Sequence, residues 1–189
     1  MLNIVLFGPP GAGKGTQAER IKNQYHLIHL STGDIFRYNI KESTDLGLMA
    51  KEFMDKGELV PDEVTIKMLE SEVNKHPKSL GFIFDGFPRT THQAKTLDDF
   101  LSSKNLSITK MIALEVPNDE LISRLFLRGK QSGRADDQDK SIIANRIKVY
   151  ENQTSVLAEY YKAQNKLATV DGVGSVDEIT KRLYRSIDL

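Results

Sequence analysis

The run Gly8-Pro9-Pro10-Gly11-Ala12-Gly13-Lys14-Gly15-Thr16 holds the most explicit chemistry in this chain. Backbone N–H groups can close around phosphate oxygens only where no Cβ blocks the approach and positive φ is allowed, and glycine meets both conditions. A helix opening just after the run adds its own unpaired N–H groups and the positive end of its dipole. Lys14 then supplies a point charge to the outer phosphates. The run departs from the general pattern G-x-x-x-x-G-K-[ST], because Gly15 follows the lysine and the hydroxyl comes one place later at Thr16. The usual direct magnesium ligand is therefore missing.

Three further segments carry residues of the same chemistry. In Ser31-Thr32-Gly33-Asp34, followed by Arg37, Ser31 reads as the cap of a helix starting near Asp34. Thr32 and Arg37, one turn apart on one side, read as ligand contacts. In Asp85-Gly86-Phe87-Pro88-Arg89, followed by Gln93, the aspartate ends an apolar run and is placed to hold magnesium, directly or through its water. Pro88 is expected to stiffen the turn and start the next helix, which fixes Arg89. Arg89 has the planar fork that binds two phosphate oxygens at once. Arg124 and Arg128 lie four residues apart, on one helix face directed toward the polar loop Gly129 to Asp137. Arg134 lies in that loop and Arg146 on the helix beyond it. Four arginines around a polar loop, in a chain with a phosphate-binding loop, fit the neutralisation of a transferring phosphoryl group, which needs positioning and positive charge more than covalent chemistry. The four histidines have no metal-ligand spacing and receive no role.

Such residues must be held by a scaffold, and the apolar pattern predicts one. Short apolar runs at Ile4–Phe7, Ile28–Leu30, Phe82–Phe84, Met111–Val116 and Leu167–Val170 alternate with longer amphipathic segments. That alternation is the signature of a parallel sheet wrapped by helices. Helices are expected at Gln17–Gln24, Asp34–Lys41, Leu46–Lys56, Glu63–Asn74, Thr91–Ser103, Asn118–Arg128, Ser141–Gln164 and Val176–Ile187. In such a sheet ligands sit beyond the carboxyl ends of the strands, where the segments above fall.

Composition narrows the classes. At 189 residues the chain is one ordinary domain. Its 26 Lys and Arg balance 26 Asp and Glu, so no global field draws it to nucleic acid or an anionic membrane. The absence of cysteine excludes disulfides, thiol catalysis and a cysteine zinc cluster. The run Ile4–Phe7 is too short for a signal segment or a membrane span. A cytoplasmic location is expected.

Taken in order, the G-K-G-T ending of the first run, Ser31-Thr32-Gly33-Asp34 with Arg37, Asp85-Gly86-Phe87-Pro88-Arg89 with Gln93, and Ser132-Gly133-Arg134-Ala135-Asp136-Asp137 resemble the adenylate kinase family in its short-lid form. The resemblance covers nearly the whole chain, to Gly174-Ser175-Val176-Asp177-Glu178. It implies a P-loop three-layer αβα sandwich with a five-stranded parallel sheet, and reversible transfer of the γ-phosphoryl group of MgATP to AMP. By the resemblance, Gly11, Ala12, Gly13, Lys14, Gly15 and Thr16 hold the ATP phosphates, with the adenine end near Arg128 and Gly174. AMP lies against Thr32, Arg37, Glu58, Leu59, Val60, Gly86, Phe87, Pro88, Arg89 and Gln93. Arg124, Arg134 and Arg146 close over the phosphates, the last two also facing AMP, while Asp85 orients magnesium through water. The catalytic set is thus Lys14, Asp85, Arg89, Arg124, Arg134 and Arg146. Between Arg134 and Arg146 the spacing is one residue longer than the family's usual pattern.

The same resemblance divides the chain into a core (1–30, 61–128 and 138–189), a mobile AMP lobe (31–60) and a short lid (129–137). It implies a monomer with no structural zinc, because the lid lacks a long cysteine- or histidine-bearing insert. The UMP/CMP kinases share the loop, the lid and the arginines, but typically carry alanine and asparagine where this chain has Thr32 and Gln93. A nucleotide switch is the alternative from another class, and a second anion clamp at Arg37, Arg89 and Gln93 argues against it.

Overall fold

A computed structural model describes the backbone from Met1 to Leu189 and every side chain except that of Ala135. Five strands, β1 (Leu2–Phe7), β2 (Ile28–Ser31), β3 (Gly81–Asp85), β4 (Lys110–Glu115) and β5 (Leu167–Asp171), form one parallel sheet in the order β2-β3-β1-β4-β5. The helices are α1 (Lys14–Tyr25), α2 (Thr32–Lys41), α3 (Asp45–Met54), α4 (Asp62–Asn74), α5 (Thr91–Ser102), α6 (Asn118–Ser132), α7 (Lys140–Val149), α8 (Leu157–Lys162) and α9 (Val176–Asp188).

The strands read as unbroken apolar runs because both faces of the sheet are covered. Alternation then sorts their side chains. Val5, Phe7, Phe82, Phe84, Met111 and Ala113 pack on one side with Leu69 and Val73 of α4, Leu97 and Leu101 of α5, and Leu157 and Tyr161 of α8. Ile4, Leu6, Ile83, Ile112 and Leu114 pack on the other with Ala18 and Ile21 of α1, Leu121 of α6, and Ile179 and Leu183 of α9. Two smaller clusters lie outside this sandwich. Phe36, Ala50, Val60 and Met68 consolidate α2 and α3, while Leu125, Ile143 and Ile147 join α6 to α7.

Three local expectations are corrected. The long helix expected over Ser141–Gln164 is divided: α7 passes into a π-helical turn at Tyr150–Thr154, and α8 begins at Leu157. Such wide turns recur beside functional sites, and Tyr150 and Thr154 here line a cleft. The expected loop over Gly129–Asp137 is shorter than its composition suggested, since α6 continues to Ser132 and ends at Gly133 in the left-handed region, φ 67°. Pro88 does not start a helix, because Thr90 caps α5 by accepting from Gln93 N. Ser31 does cap its helix as expected, accepting from Asp34 N, although α2 already begins at Thr32.

Candidate active site

The carboxyl ends of β1, β2 and β3 open into a cleft of about 380 Å³. At its centre the loop after Phe7 turns into α1. Gly11 sits at φ 88°, and a Cβ there would lie 3.0 Å from Leu121 O and from Leu125 Cγ, so a bare backbone is needed for α6 to pack on the loop. Lys14 curls back over the loop and donates from Nζ to Gly8 O at 2.7 Å and Pro9 O at 3.0 Å. Burial lowers its pKa to about 8; Asp85 opposes the shift, and the charges of Arg89, Arg128 and Arg146 add to it. Several cations are therefore held together in low dielectric, the arrangement that polyphosphate neutralises.

This crowding has a measurable consequence. If charged Lys14 captures the phosphates, kcat/KM for the phosphoryl donor is flat below about pH 8 and falls roughly tenfold per unit above it. Stability responds with the opposite sign: an unfolded lysine titrates near ~10.4, so from about 8 to there the unfolded chain holds a proton that the folded one has released. Lys14's contribution to stability grows with pH across that window. A pH–rate profile flat through the window would show that Lys14 stays charged.

Asp85 closes β3 at 8 % exposure, facing the helix start, where a Cβ on Gly15 would stand 3.9 Å from its Oδ2. That oxygen lies 3.3 Å from His29 Nε2, whose Nδ1 lies 3.4 Å from Glu19 Oε1. Burial works to lower the His29 pKa, but the hydrogen bond and charge of Asp85, helped by Glu19, raise it above the ordinary value. Sequence reasoning missed His29. Its signal was period-two alternation on β2, which sets it on the same face as Ser31. Among the described residues no group of three or more His, Asp or Glu side chains could seat a metal ion. A lone carboxylate beside a phosphate loop fits a magnesium ion that arrives on the phosphates, and does not fit one held by the protein alone.

The second cation group lies on the β2–β3 side. Gly86 O is its anchor, accepting from Arg89 Nε at 2.7 Å and from the Thr32 hydroxyl at 3.0 Å. Burial lowers the Arg89 pKa to about 10, and Arg146 and Arg37 push it the same way while Asp85 opposes. Arg37 pairs with Asp34, which also accepts from Arg134 Nη2 at 3.3 Å across the cleft.

The arginines after β4 are organised by Asp137, which is fully buried. Arg128 donates to it through Nε at 2.6 Å and Nη2 at 3.0 Å, and Arg146 through Nη1 at 2.5 Å. Burial alone would raise the Asp137 pKa, but these guanidinium groups hold it below the usual carboxylate range. Asp137 keeps two arginines aimed at the cleft and was not among the expected site residues. Gly129 makes room for it, since a Cβ there would meet Asp137 O at 2.4 Å. Gly129→Ala should destabilise the fold by about 1–3 kcal/mol through overpacking and should lower turnover as Asp137 shifts; thermal melts and a steady-state assay check both.

Most of the expected residues meet here. The cleft is lined by Gly11, Gly13, Lys14, Gly15 and Thr16, by Thr32 and Arg37, by Glu58, Leu59 and Val60, by Asp85, Gly86, Phe87, Pro88, Arg89 and Gln93, and by Arg128, Arg134 and Arg146. Arg146 reaches it despite the extra residue before it. Ala12, Arg124 and Gly174 do not line it. Arg124 is held one turn further back, with Nε on Glu120 and both terminal nitrogens 3.2 Å from Gly172 O.

Comparison with known proteins agrees with this geometry. The adenylate kinase family model matches residues 6–166. An adenylate kinase of Flavobacterium psychrophilum is 60% identical over 188 residues, covering 100% of this chain and 99% of the relative. One from Flavobacterium johnsoniae is 58% identical and one from Bacteroides fragilis 47%, each with the same coverage. With a glycine-rich loop and its lysine at the end of β1, a second cation group at the end of β3 and likeness of this extent, the chain belongs to the adenylate kinase family.

Proposed function

We propose that the protein transfers the γ-phosphoryl group of MgATP to AMP, reversibly, giving two ADP. The observation that carries this reading is the presence of two anion-binding groups in one cleft: the phosphate loop with Lys14, and Arg37 with Arg89. A nucleotide switch needs only the first. The relatives compared are adenylate kinases, which leaves a UMP/CMP kinase without support.

Gly11 to Thr16 hold the ATP phosphates, with Ala12 contributing backbone from beneath. Arg128, Arg134 and Arg146 stabilise the transferring group. The expected roles of Arg124 and Arg128 are exchanged in this proposal, because Arg128 lies in the cleft within reach of Lys14's field while Arg124 rests on Gly172, toward Gly174. Arg124 and Gly174 then serve the adenine end of ATP. AMP takes Thr32, Arg37, Glu58 to Val60, Gly86 to Arg89, and Gln93. Magnesium, when bound, supplies charge neutralisation to the phosphates, and Asp85 orients it through water.

The lobe of residues 31–60 and the lid of residues 129–137 close over the reactants and exclude water, which would otherwise accept the phosphoryl group. Contacts across the cleft support this: Asn145 Nδ2 donates to Lys56 O at 2.7 Å, and Arg134 reaches Asp34. Among the described residues no helix is long and apolar enough to cross a membrane. A cleft built within one chain and a sequence without cysteine support action as a monomer in the cytoplasm. The test is ADP formation from MgATP with AMP, CMP, UMP or GMP offered separately beside a blank. Turnover confined to AMP is expected; turnover with CMP or UMP, or none above the blank, overturns the reading.

A further inference from the structure

Gln93 is 2 % exposed and both ends of its amide are engaged before any ligand arrives. Oε1 accepts from Arg89 N at 2.7 Å, and Nε2 donates to Asp62 Oδ1 at 2.7 Å. The other oxygen of Asp62 accepts from the Thr90 hydroxyl at 2.7 Å, and Thr90 in turn caps the helix that carries Gln93. A carboxylate only accepts and a backbone N–H only donates. Between them they forbid the flip that would exchange the amide's oxygen and nitrogen. Each end of the amide keeps one unused function, a lone pair on Oε1 and an N–H on Nε2.

We infer that Asp62, which opens α4 just after the AMP lobe, is a specificity-determining positioning residue that locks the Gln93 amide in the one orientation complementary to a 6-aminopurine. This rests on the reading that Gln93 faces the base of the monophosphate. Adenine presents a donor at its 6-amino group and an acceptor at N1, which the free lone pair and the free N–H match. A 6-oxopurine presents an acceptor at the same place and a donor at N1, so it meets the locked amide with like against like. Had the amide been free to flip, both bases would be accommodated. A fixed polar group discriminates far more sharply than an adaptable one, because the wrong partner leaves buried groups unpaired. Nothing in the sequence marks Asp62, which looks like an ordinary acidic residue in the first turn of a helix.

The test compares AMP with IMP, which differs at this edge without adding a 2-amino group. In Asp62→Asn the new side chain can either accept from or donate to Gln93, so one of the two restraints on the flip is lost and only the Arg89 N–H still opposes it. The ratio of kcat/KM for AMP over IMP should fall by about fivefold or more, through a higher KM for AMP and a lower one for IMP, with KM for ATP unmoved. Gln93→Leu should lower the same ratio further. If Gln93→Leu lowers the ratio and a folded Asp62→Asn does not, or if Asp62→Asn lowers kcat equally for both substrates, Asp62 is structural only and the inference fails. If Gln93→Leu leaves the ratio intact, Gln93 does not face the base and the inference falls with the reading beneath it. Should Asp62→Asn fail to fold, the wild-type protein answers. On adding AMP one Nε2 proton resonance of Gln93 should shift while the other stays on Asp62; movement of both overturns the lock.

Discussion

Lys14→Met should lower kcat by about 10²–10³-fold, the loss typical when one preorganised donor is withdrawn from developing charge, while the protein stays folded. The two halves of that expectation come from different contacts. Among the described residues Lys14 bonds only to the carbonyls of Gly8 and Pro9, two neighbouring residues of its own loop, so no distant element depends on it. Its charge is destabilised where it stands, by burial and by Arg89, Arg128 and Arg146, so removing it relieves repulsion. Methionine keeps the length and helix propensity of lysine at the first residue of α1. The melting temperature should therefore hold or rise as turnover collapses. Unchanged turnover would remove Lys14 from the reaction; a collapse of both would mean that it acts as a strut for the loop.

The sheet was legible because strands buried on both faces leave apolar runs too short for a helix, set between longer amphipathic segments: the five apolar runs became the five strands, differing only by a residue or two at their ends. The turn from β1 into α1 was legible because glycine spacing states a backbone geometry, and Gly8, Gly11 and Gly13 all take positive φ there. The arginines were legible as a group and illegible singly. Arg124 and Arg128 share a helix face, and periodicity cannot say that the cleft ends between them; that depends on where Gly172 and Asp137 meet α6. The same limit hid His29 and Asp62. Each is an ordinary residue locally and gains its role from a partner far along the chain, Asp85 for the one and Gln93 for the other. Residues 129–137 read as a loop because the run is polar and holds two glycines, the first of them Gly129. In the fold it is a helical residue chosen for want of a side chain against Asp137.

Arg89→Ala should raise KM for AMP by about 10²–10³-fold, the cost of truncating one side of a desolvated charge contact, and change KM for ATP less than threefold. The selectivity follows from position: Arg89 is tethered through Nε to Gly86 O beyond β3, an oxygen it shares with the Thr32 hydroxyl, and it lies within the field of Arg37. Loss of fold does not explain such a change. Gly86 O retains the Thr32 hydroxyl, and burial together with the charges of Arg146 and Arg37 already depresses the Arg89 pKa; Asp85 keeps His29 and Asp136 keeps Arg146 when Arg89 is removed. Arg89→Lys sharpens the point. Lysine restores the charge without the planar fork, so it should recover only part of the affinity if two oxygens are bound at once. Full recovery would mean that Arg89 contributes charge alone, and equal losses for AMP and ATP would show that the clamp serves the reacting phosphates generally and not the monophosphate.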